Sequence, residues 1–233
     1  MKKEFSDPSR KITPEAASGP DQPAQADRRA QTRTAVIKAA AQEFSRSGYA
    51  GANLEKVANE FSSSVQQEGS SEVSRPQLYH LFANKEELAL AVVQWAEETW
   101  YEEVGYLFAD ESDPVAALIA VARGHAVFCR HAPLIMQTFK AEFEGRDHPV
   151  GRAIYKSLGR FMDDTIRLIT AARRSGAIPP GPPPRELAFA YLGAFDGVAR
   201  RLREQAPYDA LFAERVALGV LGLAPASDSA GTG

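Results

Sequence analysis

Five side chains within residues 75–85 have the chemistry to read and grip a polyanion: Arg75, Gln77, Tyr79, His80 and Lys85. An arginine fork fits the two acceptors on a guanine edge, and a glutamine amide fits the acceptor and donor of adenine. A tyrosine hydroxyl reaches a phosphate oxygen. A lysine at a helix start adds its charge to backbone N–H groups that already favour phosphate. Leu78, Leu81 and Phe82 fall among these residues at helical spacing, so one face buries while the other stays free. Ser74-Arg75-Pro76-Gln77 supplies the start of this short helix, with a Ser cap and Pro in its first turn.

Other clusters carry less chemistry. His125 and Cys129 share a helical face, with His131 close by, but a metal site needs further ligands that the sequence does not place, so no metal and no cofactor is expected. Asp163 and Asp164 are helix neighbours that point about 100° apart and cannot share a substrate. Gly-x-Ser-x-Gly, His-Glu-x-x-His and phosphate-loop motifs are all absent, so no enzyme is expected.

The elements that position these groups follow from periodicity and punctuation. Residues 28–47 carry Val36, Ile37, Ala40 and Phe44 at helical spacing, and Gly48 supplies a stop. Asn53 caps a second helix, predicted to end near Phe61. Residues 62–72 are polar and rich in serine, and are predicted to be an exposed, mobile loop. After the short helix at 75–82, Asn84-Lys85-Glu86-Glu87 opens a long helix to about Phe108. Asp113-Pro114, Ala132-Pro133 and Asp147-His148-Pro149 mark three more starts. The run from Ile178 to Pro184 cannot be helical. Two more helices follow, at about 185–203 and 208–223. The expectation is an all-α chain of about nine helices, with no strand.

Composition bounds the rest. The 233 residues carry a net charge of −3, yet residues 28–85 hold eight Lys/Arg against five Glu. A mildly basic module on an acidic body is compatible with phosphate binding at one end. Cys129 is the sole cysteine, which excludes an intrachain disulfide and fits a reducing, cytoplasmic location. The charged first ten residues lack the apolar segment of a secretory leader, and no apolar run is long enough to span a membrane.

Three short helices in which the second and third form a pair are how a helix-turn-helix presents itself. The residues Arg33-Thr34-Ala35-Val36-Ile37-Lys38-Ala39-Ala40, Phe44, Gly48-Tyr49 and Val73–Leu88 resemble the N-terminal domain of TetR-type repressors. The Leu-Tyr-x-x-Phe-x-x-Lys-Glu-x-Leu run is the specific part. The resemblance implies an N-terminal three-helix helix-turn-helix domain and a C-terminal helical bundle for ligand binding and dimerisation. It places Arg75, Gln77, Tyr79, His80 and Lys85 against DNA, and Arg33, Asn53 and Ser74 complete the predicted DNA-contacting set. The sequence departs from the family at Pro76, where a glycine is usual, and in the extra residues between Phe61 and Val73.

The predicted organisation is a disordered tail over 1–27, a DNA-binding domain over 28–88 with its insertion near 62–72, a ligand-binding and dimerisation domain over 89–224, and a second tail over 225–233. The resemblance also implies an apolar pocket in the second domain, and Phe128, Met136, Phe139, Phe161 and Thr165 are its predicted lining. Leu187, Tyr191, Ala194, Val198, Leu202 and Leu218 form an apolar stripe predicted to be the homodimer interface. The expected partners are a double-stranded DNA operator, a small-molecule effector and a second copy of the chain, with no membrane. The expected function is a ligand-responsive repressor. The alternative is a TetR-like protein whose insertion weakens or abolishes DNA binding, leaving a small-molecule or protein-binding module.

Overall fold

Among the described residues, apolar positions at three- and four-residue spacing produce nine α-helices and no strand. The computed structural model describes residues 21–68, 75–202 and 207–224; the side chains of 21–24, 63–68, 75–77, 199, 200 and 202 are left aside. Helices α1 (Asp21–Gly51), α2 (Leu54–Glu68) and α3 (Arg75–Leu81) bury Val36, Ala40, Phe44, Val57, Phe61, Leu78 and Phe82 against Leu88 and Val92 of α4 (Lys85–Glu103). The same apolar cluster continues into α6 (Ile135–Phe143) and the start of α7 (Pro149–Arg174) through Ile135, Phe139, Phe143, Val150 and Ile154. A second cluster joins α5 (Pro114–Phe128), the rest of α7, α8 (Pro184–Leu202) and α9 (Tyr208–Val220), with Leu118, Leu168, Ile169, Tyr191 and Leu221 at its centre. Each Val, Leu, Ile or Phe side chain among these stabilises the fold by about 1.5–3 kcal/mol when removed from water.

The caps follow the sequence. Asn53 Oδ1 accepts from Lys56 N–H at 2.8 Å, Asn84 Oδ1 from Glu87 N–H at 2.8 Å and Asp113 Oδ1 from Ala116 N–H at 2.9 Å. His148 does the same for Val150 N–H at the start of α7. Each satisfies a helix-end donor that would otherwise lack a partner.

Three boundaries differ from expectation. Helix α1 starts at Asp21, inside the predicted tail; Pro23 lies in its first turn, where no N–H partner is needed. Helix α2 does not stop near Phe61 but runs to Glu68, so residues 62–68 are helix and not loop. Ser62 Oγ bonds back to Ala58 O at 2.9 Å, no Gly or Pro interrupts the segment, and Gln66, Gln67 and Glu68 all tolerate a helix well; the first breaker is Gly69. The remainder of the predicted loop and both tails beyond the helices lie outside the described residues. Helix α4 ends at Glu103, and a 3-10 turn over Gly105–Ala109 follows. The Tyr101 ring lies so close to Gly105 that a Cβ there would sit 2.3 Å from it.

Beyond α5, Arg130 grips the buried Asp209 at the start of α9 through Nε at 2.7 Å and Nη2 at 2.6 Å. Among the described residues, no helix is long and apolar enough to cross a membrane.

The break in α1 is specific. Gly48 sits at φ 69° and ψ 176°, and a Cβ there would lie 2.8 Å from Glu142 Oε2. Gly48→Ala should therefore strain the backbone and displace that carboxylate together. The expected loss is about 2–3 kcal/mol in urea unfolding. A loss below about 0.5 kcal/mol would mean the turn readjusts freely.

Candidate functional site

Two features face outward to potential partners, a short helix and a cavity. Helix α3 docks by its apolar side: Leu78 and Phe82 are each 1% exposed, while Tyr79, 58% exposed, and His80 face solvent. Arg33 of α1 lies over the Phe82 ring at 4.8 Å, which puts its exposed guanidinium beside the end of α3. Asn53 is exposed at the start of α2. The side chains of Arg75 and Gln77, and Ser74 as a whole, lie outside the described residues.

Lys85 has a different placement from the one its position suggested. It is half-buried, and Nζ donates to Tyr49 O at 2.9 Å and Ala52 O at 3.2 Å. It also lies 4.6 Å from the Tyr49 ring centroid. The ammonium thus closes the turn between α1 and α2, because two carbonyls left free by the helix break lie within its reach. Across the same turn, Glu142 near the end of α6 accepts from Tyr49 N–H and Ala50 N–H, each at 2.6 Å. The Tyr49 ring meets Phe143 edge-on at 5.1 Å and Phe139 at 6.1 Å.

The cavity has a volume of about 920 Å³, at the upper end of what small-molecule sites enclose. Trp95 and Trp100 of α4, Phe128 of α5, Met136 of α6, Phe161 and Met162 of α7 and Phe195 of α8 supply its apolar wall. Trp100 and Phe161 meet edge-on with ring centroids 4.4 Å apart. Thr34, Lys38 and Gln42 of α1 also line it, so the space extends to the N-terminal helices. Of the predicted lining, Phe128, Met136 and Phe161 are present. Phe139 is instead fully buried in the N-terminal cluster, edge-on to Phe44 at 5.2 Å. Thr165 is also fully buried, its hydroxyl donating to Phe161 O at 2.9 Å.

The polar groups of the chamber were not expected from sequence. Trp100 Nε1–H donates to His125 Nδ1 at 3.0 Å, and His125 Nε2 lies 3.5 Å from Cys129 Sγ. His125 also stacks on Phe195 at 5.9 Å. Burial lowers the His125 pKa to about 4, against an opposing pull from Asp196, another lining residue. The four-residue spacing of His125 and Cys129 was visible as a shared face; their place beside two tryptophans was not. Among the described residues, no cluster of three metal-ligating side chains occurs.

The predicted dimer stripe lies mostly inside the protomer. Leu187, Tyr191 and Val198 are buried against α5, α7 and α9, and the Tyr191 hydroxyl donates to Leu118 O. Ala194 and Leu218 are half-buried, and the Leu202 side chain lies outside the described residues. Among the described residues, the exposed large hydrophobic side chains of these helices are Phe189, Tyr208, Leu211 and Phe212. Phe189, Gly193 and Gly197 share one face of α8, and a Cβ added at either glycine would meet nothing within 4 Å.

This arrangement has solved counterparts. SCO4454, a TetR-family transcriptional regulator from Streptomyces coelicolor, superposes with a TM-score of 0.66 at 19% identity, over 83% of this chain and 95% of that one. The chain has the TetR fold. The structure of AibR in complex with isovaleryl coenzyme A and operator DNA shares the TetR fold with this chain, with a TM-score of 0.65 at 21% identity, over 82% and 96% of the two chains. FadR from Bacillus subtilis in complex with stearoyl-CoA gives 0.65 at 16% identity, over 82% and 99%. No family model matches the sequence, and no curated protein does.

The low pKa of His125 sets a pH dependence within this TetR fold. Unfolded, an imidazole takes up its proton near pH 6.5; folded, His125 resists until about pH 4. The unfolded state therefore binds more protons in that window, and stability falls as pH drops through it. His125→Gln should flatten this acid limb, narrowing the stability change between pH 7 and 4.5 by about 2–3 kcal/mol. Parallel pH profiles of the two proteins in urea unfolding would mean that His125 is solvated.

Proposed function

We propose that the chain is a DNA-binding transcriptional repressor whose operator affinity is set by a small molecule in the cavity. The observation that carries this reading is helix α6. It presents Met136 and Gln137 to the cavity, and about one and a half turns on, its Glu142 holds the turn that ends α1. A ligand that shifts α6 would shift the mount of the helix-turn-helix, and such a ligand would favour one arrangement of the paired DNA-binding units. The AibR structure, which holds both an acyl thioester and operator DNA on the same fold, supports the reading.

In this reading Arg75, Gln77 and His80 enter the major groove, and Tyr79, Ser74, Arg33 and Asn53 hold phosphates. Lys85 serves the fold. The active form is a homodimer joined through α8 and α9, with Phe189, Leu211 and Phe212 covered by the partner and the two glycines allowing close helix approach. The proposed protein is not an enzyme, and it acts where DNA is, in the cytoplasm.

The test is binding to duplexes tiled across the DNA upstream of its own gene. One duplex should bind with a salt-dependent affinity well above random DNA. Uniformly weak binding to every duplex would favour the alternative, a ligand- or protein-binding module that has lost its operator through the segment joining α2 and α3. Arg75→Ala should weaken operator binding by about 1–3 kcal/mol and relax its preference. Lys85→Ala should instead lower folding stability by about 1–3 kcal/mol and leave the salt slope unchanged. A salt slope reduced by about one, with stability intact, would return Lys85 to the phosphate backbone. Phe212→Glu should convert the dimer to a monomer in light scattering at micromolar concentration; a wild-type protein already monomeric there would remove the dimer from the reading.

A further inference from the structure

His125 is an imidazole on the cavity wall whose proton is assigned by its partners. The indole N–H of Trp100 is a donor only, so His125 Nδ1, 3.0 Å away, accepts and carries no hydrogen. A neutral imidazole must then carry its hydrogen on Nε2. The burial that keeps this ring neutral at physiological pH fixes the second half of that statement. Nε2 meets the Cys129 sulfur at 3.5 Å, a weak acceptor. His125 is half-buried and lines the cavity, so its remaining accessible surface opens onto that space. Among the described residues, this donor thus meets only a weak acceptor, beside the rings of Trp100 and Phe195.

We infer that His125 Nε2–H reads a neutral carbonyl oxygen, and that the molecule the cavity takes is an uncharged, apolar carbonyl compound. This rests on the cavity being the effector site. Taking a carbonyl out of water is unfavourable unless a donor meets it. In this chamber Nε2–H is placed to do so, and Phe161 and Phe195 enclose the apolar remainder. The Trp100 indole fixes the tautomer and is a positioning residue.

The probes are 2-octanone, 2-methyl-1-octene, in which a methylene replaces the oxygen, and octylammonium. Trp95 and Trp100 are the only tryptophans of the chain and both line the cavity, so intrinsic fluorescence reports its occupancy. The ketone-to-alkene affinity ratio should fall about tenfold in His125→Phe relative to wild type. It should fall in the same direction in Trp100→Phe, followed by displacement of the alkene. The carbonyl stretch of 2-octanone bound to wild type should lie below its position in hexane, a readout that needs no variant. An unshifted band, an unchanged ratio, or octylammonium binding tightest through Asp196 would overturn the inference and leave the effector cavity standing. If none of the three perturbs the tryptophans, the effector reading fails and the inference falls with it.

Discussion

Residue Tyr49 is held by two opposite charges. The Glu142 carboxylate takes its N–H and that of Ala50, and the Lys85 ammonium takes its carbonyl and that of Ala52. A helix break leaves both kinds of backbone group without helical partners, and here two side chains supply them. Here the acceptor comes from α6 and the donor from α4, so one turn fastens three helices. Gly48 makes this geometry available twice, through its positive φ and through the space its missing Cβ leaves for the carboxylate. The aromatic ring of Tyr49 extends the joint onto Phe143 and His148. The N-terminal helices are therefore mounted on the body, not merely tethered to it by α4.

The cavity lies on the other side of that mount. Its walls come from α4, α5, α6, α7 and α8, and its edge reaches α1. A chamber lined by large rings has few ways to accommodate a guest without moving a helix, because packed interiors switch between discrete arrangements. The polar trio of Trp100, His125 and Cys129 gives the chamber direction. Desolvation keeps the imidazole neutral, and the indole then decides which nitrogen donates.

Much of this was legible in the sequence, for identifiable reasons. Caps and breakers are local, so Asn53, Asn84, Asp113-Pro114 and Gly48 marked their helix ends correctly. The docking face of α3 was readable from Leu78 and Phe82. Most of what failed depends on a distant partner. The stripe on α8 is apolar at helical spacing, but periodicity does not say whether its cover is the same chain or another; α5, α7 and α9 supply it. Lys85 was read by its place at a helix start, while the carbonyls that hold it lie more than thirty residues earlier. Phe139 and Thr165 are on the expected helices but turn to the core. The serine-rich end of α2 was read as loop from composition, although serine tolerates a helix when nothing breaks it. Glu142 carried no local signal at all.

The central claim is that cavity and DNA surface exchange free energy through the Glu142 joint. The direct measurement is the affinity of the preferred upstream duplex with the cavity empty and with it saturated by 2-octanone, in wild type and in Glu142→Gln. Filling the cavity should change wild-type affinity by at least about fivefold, the lower end of typical allosteric coupling. In Glu142→Gln, where the neutral amide can no longer take both N–H groups as a carboxylate does, the change should shrink towards one. An unaltered affinity in wild type, or an equal change in both proteins, would contradict the claim.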